Sequence, residues 1–232
     1  MNNLNRIGGL SALLFGLLKI VGLALSTIAF ASAPSEVFGP TNVEARLAFV
    51  ASMPQAQRLS FIVGSNLEML AVVFLVPPLM ALYAMLKSEH STNALLAAGL
   101  GLVGIPFLML FQVERFPLLD LGALYGLADS AGKASLTAMH TVREYYTLIL
   151  ERIFLLFFGP ALFLYSRALL RADFARPLAF FGAAMGVVAT VGAIGPAISL
   201  RLEFMPGIAS LLLIAWHFWL GLVLFRQSGD RS

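Results

Sequence analysis

The chain has 232 residues, of which 59% are hydrophobic and 12% are charged, and its mean hydropathy is +0.89. Soluble domains are roughly 45–50% apolar and about 25% charged, so the composition excludes an ordinary soluble protein and predicts an integral membrane protein. Because the chain has no cysteine, disulfides and thiolate metal sites are excluded. The net charge of +3 bears on membrane orientation and gives no indication of a nucleic-acid partner.

Six stretches are apolar enough and long enough to cross a bilayer. A transmembrane helix needs about 20 mostly apolar residues to cross a hydrocarbon layer about 30 Å thick. We therefore predict an all-α fold, an integral membrane six-helix bundle that forms a single transmembrane domain over 1–232. The predicted spans are about 7–30, 61–86, 94–112, 145–166, 178–198 and 205–225.

The first span is similar to a secretory signal, because an apolar stretch precedes small residues in "AFASA". Its apolar stretch is about 24 residues long, whereas the central region of a signal has about 7–15. We therefore interpret it as a retained first helix, with cleavage near Ala31 or Ala33 as the alternative.

The basic residues predict which way the bundle faces. The short connection "SRALLRADFARP" (166–177) is the densest basic cluster, and basic residues in short loops favour the cytoplasmic side. Both termini should then be cytoplasmic, and the long loops 31–60 and 113–144 should face outward. The second loop has enough Leu, Phe and Tyr to lie on the bilayer surface or to cover the bundle.

The fourth predicted helix should extend beyond the membrane. From Ser135 to Gly159 neither glycine nor proline interrupts the chain. The helix should therefore project two turns or more from the bilayer before it enters at Tyr145 and Tyr146, which suit the interfacial aromatic belt.

A displacement of 83 positions aligns the chain with itself and indicates an internal repeat. The identical pairs include Leu67 with Leu150, Glu68 with Glu151, Phe74 with Phe157, Pro77 with Pro160, and Gly99 with Gly182. Helices two and four run in the same direction when six spans alternate. The sequence therefore predicts a parallel repeat of helices 2–3 and 4–5, an arrangement found in many transporters.

The repeat places one glutamate, Glu68 or Glu151, inside the membrane in each half. A charge at a helix centre costs about 2.5–3.5 kcal/mol on insertion scales, so such residues normally face the protein interior and have partners. Lys19 and Arg152 are the candidate partners. Two interpretations remain open: structural ion pairs that hold the bundle together, or a polar cavity near the outer face that binds a small ligand or a proton.

Three further candidates carry weaker indications. His140 and Glu144 share a helix face with Glu151 and could form an outer path for a proton or cation. The alternative is that both simply meet water. His217, in the sixth span, is a candidate binding residue or a packing histidine with a hydrogen bond across helices. We expect no metal site, no catalytic residue is assigned, and any cofactor is unknown.

Two segments carry a resemblance to a known family. "RIGGLSALLFGLLKIVG" and "LYSRALLRADFARPLAFFGAAMG", together with the six-helix spacing, resemble an uncharacterised bacterial membrane protein family, a domain of unknown function. The loop 113–144 falls outside that pattern. The resemblance implies the six-helix fold and a bacterial inner (plasma) membrane location, and it transfers no site residue.

The leading functional hypothesis is a polytopic membrane protein that binds or transports a small molecule or ion in its polar cavity. One alternative is a non-catalytic structural or accessory subunit of a membrane complex, or a homo-oligomer. A second is an embedded enzyme acting on a lipid-like substrate, with Glu68 or Glu151 as general acid or base. Enzymatic activity is the less favoured of these hypotheses, and membrane lipids are expected partners in each of them.

Overall fold

The computed structural model describes residues 2–38, 42–172, 174–199, 202 and 204–229, and within these ranges it contains helices and no strand. The all-α prediction is thereby confirmed. A 3₁₀ turn, Ser35–Phe38, follows the first helix. The α-helices are α1 (Asn2–Ala29), α2 (Val43–Ser52), α3 (Gln55–Val73), α4 (Val76–Val113), α5 (Pro117–Leu127), α6 (Ser130–Arg171), α7 (Arg176–Ile198) and α8 (Met205–Gly229).

Six helical segments of the described chain are long and apolar enough to cross a membrane. They are Asn3–Ala29, Gln55–Ser88, His90–Leu127, Ser130–Arg171, Arg176–Ile198 and Met205–Arg226. The chain is therefore a multi-pass membrane protein, as predicted. Because the number of crossings is even, α1 begins and α8 ends at one end of the bundle, the terminal end. The opposite end carries α2 and α5, and we call it the capped end.

The second predicted span, 61–86, is divided into two helices in the structure. α3 ends at Val73 and α4 begins at Val76, with Pro77 and Pro78 in its first turn. Proline has no backbone N–H, so these two residues cannot donate hydrogen bonds to carbonyls in the preceding turn. α4 then continues through the region predicted to connect spans two and three. In this region only His90 departs from helical geometry, with φ −135° and ψ 48°.

α6 is 42 residues long, which corresponds to about 63 Å at 1.5 Å per residue, roughly twice the hydrocarbon thickness. Its first turns therefore project beyond the capped end, as the uninterrupted sequence predicted. The helix starts at Ser130, because the side chain of Asp129 accepts a hydrogen bond from the backbone N–H of Gly132 at 2.8 Å. Such a cap satisfies one of the free donors in a first helical turn.

The two long loops fold into a helical layer at the capped end. α2 and α5 pack against each other, and α5 also contacts α6. The small apolar core of this layer consists of Val43, Leu47, Leu121 and Tyr125. The Tyr125 hydroxyl donates a hydrogen bond of 3.1 Å to Glu44, so a polar contact accompanies the apolar ones.

The main core lies between α4, α6, α7 and α8, and close helix contacts at glycine hold α6 against α7. A Cβ atom on Gly159 would lie 2.9 Å from the carbonyl oxygen of Gly186, and one on Gly186 would lie 2.7 Å from the carbonyl of Gly159. Small residues at such contacts let two helix backbones approach, which is how membrane helices gain packing energy.

The proposed repeat corresponds to two helical hairpins, 55–113 and 130–198, which follow each other along the chain. The aligned prolines have different effects in the two hairpins, because Pro77 follows a break between α3 and α4 whereas Pro160 lies inside the continuous α6. The parallel repeat itself stays a prediction.

The glycine contact between α6 and α7 generates a stability prediction. Gly159→Ala should lower stability by about 1–3 kcal/mol, the usual effect of overpacking, because the new methyl group would press on the Gly186 backbone. Gly99→Ala is the matched control, since nothing lies within 4 Å of a Cβ at that position. Unfolding midpoints of the purified variants in detergent would check this, and equal midpoints would contradict it.

Candidate functional site

The carboxylate of Glu68 is the centre of a polar cluster inside the bundle. Glu68 lies on α3 and is 5% exposed. One carboxylate oxygen, Oε2, lies 3.2 Å from Nζ of Lys19 on α1. The other, Oε1, lies 2.7 Å from a terminal guanidinium nitrogen of Arg115. The hydroxyl of Ser26 also donates to Oε1 at 3.2 Å, so both oxygens of this buried charge are bonded.

One face of α1 is shaped to receive Glu68. Lys19, Gly22 and Ser26 follow each other at spacings of three and four, which places them on the same side of a helix. A Cβ on Gly22 would lie 2.6 Å from Cγ of Glu68 and 2.8 Å from the carbonyl oxygen of Gly64. The two glycines thus let α1 and α3 approach closely beside the carboxylate.

Arg115 is the charged residue of the cluster that the sequence did not single out. It follows the end of α4, and its guanidinium also donates to the side chains of Gln112 at 3.3 Å and Ser26 at 3.4 Å. The guanidinium carbon lies 5.9 Å from the ring centre of Phe61, within cation–π range. The position of Arg115 at the end of a span could have indicated this role. The long arginine side chain lets a charge at that position reach polar groups some distance from its backbone.

Glu151, the repeat partner of Glu68, has a different environment. Its Oε1 accepts a hydrogen bond of 3.2 Å from Ser210 on α8, and within the described chain no cation pairs directly with it. Lys19, Arg115 and Arg152 are nevertheless close enough for their charges to act on the Glu151 carboxylate. Lys19 and Arg115 therefore act on both glutamates, which places both acids in one electrostatic cluster.

Arg152, a candidate partner from the sequence, lies near this cluster and forms no direct ion pair with Glu151 among the described residues. Its Nε is buried and has no hydrogen-bond partner among the described residues, and its charge acts on Glu151 at longer range. Neighbouring residues on a helix point about 100° apart, which accounts for the missing direct contact. The cluster accordingly contains three cations and two carboxylates, an excess of one positive charge when all are ionised.

An open cavity of about 360 Å³ at the capped end is lined in part by Arg115. Ser26, Thr27, Phe30 and Phe38 line it together with Arg115. Among the described residues of this lining Arg115 alone is charged, and 23% of its side chain is exposed. A guanidinium has five N–H donors, and three hydrogen bonds to protein groups are described for Arg115. The remaining donors can meet a ligand.

His217 lies deeper in the bundle than the cluster. It is fully buried, its Nδ1 is 2.8 Å from the carbonyl oxygen of Leu213 on its own helix, and its ring packs on Phe15 at 4.5 Å between centres. Since His217 follows Ser210 by seven residues, it lies about 10 Å nearer the terminal end along α8. The structure does not bring His217 to the glutamates.

His140 and Glu144 lie on the projecting part of α6 in the capped layer. Glu144 forms an ion pair with Arg46 of α2. The preceding residue, Arg143, pairs with Glu114 at 2.5 Å. His140 is buried, and neither ring nitrogen has a hydrogen-bond partner among the described residues. The two ion pairs therefore join α6 to the capped layer, and they do not include Glu68.

The described residues contain no group of three histidine, cysteine or acidic side chains that could hold a metal ion. The donors of the cluster are charged nitrogens and hydroxyls, which suit an anion or a polar molecule with acceptor atoms.

The two glutamates should respond differently to neutralisation. Glu68→Gln removes the partner of two cations, and breaking a buried pair typically costs about 3–5 kcal/mol. Glu151→Gln keeps an acceptor for Ser210 and should leave the unfolding midpoint nearly unchanged. Unfolding of both variants in the same detergent would measure the difference, and equal losses of stability would contradict this account of the cluster.

No curated protein and no solved structure matches the chain. The model of one protein family does match, over residues 14–226. The matched residues include all six membrane-crossing segments apart from the first turns of α1. The chain belongs to the family described as Domain of unknown function (DUF4386).

Proposed function

We propose that the protein binds a small molecule or ion at the Glu68 cluster, which the ligand reaches from the capped end. The observation that carries this proposal is the double role of Arg115. The same guanidinium holds the buried carboxylate of Glu68 and lines the cavity that opens at the capped end. A ligand in the cavity would therefore act directly on the charge network between α1, α3 and α4.

The charges indicate which ligand groups fit. Arg115 supplies N–H donors that no described protein group uses, and the cluster has one more cation than carboxylates. Charge-assisted hydrogen bonds from arginine to a carboxylate or phosphate are about twice as strong as neutral ones. The cavity thus favours an anionic group. Glu151, with only a hydroxyl bonded to it, is the group of the cluster best placed to exchange a proton when a ligand arrives.

We further propose that the protein lies in a bacterial inner membrane with both termini in the cytoplasm. Arg171 and Arg176 flank the short connection between α6 and α7 at the terminal end, and basic residues in short loops favour the cytoplasm. The capped end and its cavity then face outward. Binding is common to a receptor and to a transporter, and transport would additionally require a route to the terminal end.

A structural role in a membrane complex or homo-oligomer is the second candidate. The closed bonding of Glu68 supports it, because both oxygens already have protein partners. In that case the charges would hold α1, α3 and α4 in register, and the cluster would stay dry.

Water access to the cluster decides between the two candidates. The chain has no native cysteine, so a thiol reagent can label only the one cysteine that a variant introduces. We expect Ser210→Cys, beside Glu151, to react with a membrane-impermeant thiol reagent, because a thiol must ionise in water before it reacts. Leu211→Cys is the control, since that side chain is 56% exposed on the lipid-facing surface. Its thiol should stay unreactive at the same depth.

A Ser210→Cys protein that reacts no faster than Leu211→Cys would contradict the binding proposal and favour the structural role. Reaction of both in unfolded protein confirms that the reagent is active.

The orientation has its own test in intact cells or spheroplasts. Ser130→Cys, in the exposed first turn of α6, should react with the impermeant reagent from outside. Ser91→Cys, exposed near the bend of α4 at the terminal end, should react only after the membrane is permeabilised. The reverse pattern would show that the capped end faces the cytoplasm.

A further inference from the structure

We infer that the ligand is an anionic phospholipid of the leaflet at the capped end, with its phosphate at Arg115 and one acyl chain between α1 and α8. This inference rests on the proposed function and names the ligand class of the same site. It starts from a second cavity, an open groove of about 620 Å³ on the bundle surface.

The groove is apolar and has helical periodicity on both sides. α1 contributes Ile20, Leu23, Ala24, Thr27 and Ile28, and α8 contributes Leu211, Ile214, Ala215 and Phe218. Thr27 is the only residue with a polar side chain among them. Such a lining binds a hydrocarbon chain and excludes a polar solute, because polar groups without hydrogen-bond partners are costly to bury.

The groove lies between α1 and α8 on the capped side of their glycine contacts. At the terminal end they touch, since a Cβ on Gly221 would lie 2.9 Å from the carbonyl oxygen of Gly9. In the middle, the ring of Phe218 covers Gly16, where a Cβ would lie 2.5 Å from it. Beyond this point no glycine contact joins the described parts of α1 and α8, and the space between them is open.

The length and depth of the groove match one leaflet. From Ile20 to Ile28 the helix rises about 12 Å, and half of the hydrocarbon layer is about 15 Å. The groove begins near the middle of α1 and reaches the last residues of the helix. An acyl chain whose lipid head lies at the capped surface would occupy this depth.

The groove and the Arg115 cavity meet at Thr27, which lines both. A single molecule can therefore place its chain against α1 and α8 and its head beside Arg115 and Ser26. The positive charge of Arg115 at this junction selects an anionic head, and a phosphodiester offers acceptor oxygens that suit the guanidinium fork. Groove, depth and charge together point to an anionic phospholipid.

The experiment measures retention of two lipids by the purified full-length protein, using native mass spectrometry. Phosphatidylglycerol and phosphatidylcholine with identical acyl chains are supplied in equal amounts. We expect roughly tenfold preference for phosphatidylglycerol, because both lipids carry a phosphodiester but the choline cation of phosphatidylcholine offsets its charge and is repelled by Arg115. Arg115→Gln should abolish the preference, and Arg115→Lys should retain part of it.

A groove variant tests the acyl chain without touching the cluster. Ala24→Trp fills the groove and should reduce retention of phosphatidylglycerol severalfold. Ala184→Trp is the matched control, because Ala184 is an exposed alanine in the membrane-crossing part of α7. It should leave retention unchanged.

Equal retention of the two lipids, or equal effects of the two tryptophan variants, would overturn the inference. Displacement of phosphatidylglycerol by an equal concentration of glycerol phosphate would also overturn it, since a head-only ligand would then suffice. The labelling of Ser210→Cys distinguishes failure of the lipid inference from failure of the proposed binding function. Labelling without lipid preference removes only the lipid inference, whereas absence of labelling removes the proposed binding function itself.

Discussion

The carboxylate of Glu68, held between Lys19 and Arg115, is the constraint on which the arrangement of this protein depends. A charge inside a bilayer is tolerated only with partners, and here the partners come from α1 and from the segment that follows α4. The glycines Gly22 and Gly64 bring α1 and α3 close enough for these bonds to form. One ionic cluster thus fixes the position of three chain segments and aims Arg115 at the cavity of the capped end.

The two halves of the sequence repeat use the same acid in different ways. Glu68 has cations and a hydroxyl on its two oxygens, whereas Glu151 has the hydroxyl of Ser210 and only distant cations. If the halves arose by duplication, Glu68 now holds the network together, whereas the Glu151 carboxylate can still accept further hydrogen bonds. That asymmetry is what a binding site requires, because a fully bonded group cannot respond to a ligand.

The sequence predicted the parts of the structure that follow from hydrophobicity and from the cost of membrane charges. These parts include the six spans, the long fourth helix, and Lys19 as a candidate partner for either membrane glutamate. Arg115, Ser26 and Ser210 were missed, because their role depends on how helices rotate and pack and not on local pattern. The break between α3 and α4 lies at Pro77 and Pro78, where the loss of a backbone donor is expected to kink or loosen a helix. Arg152 was a candidate partner for the membrane acids, and adjacent residues on a helix point about 100° apart, so it does not pair directly with Glu151.

An experimental map of the protein in lipid, at a resolution that shows ordered water and lipid, tests the central claim most directly. The account predicts the Arg115 guanidinium on the Glu68 carboxylate, with non-protein density in the adjoining cavity beside Ser26 and Thr27. A map in which Arg115 points away into solvent and Glu68 contacts only Lys19, with an empty and closed cavity, would contradict it.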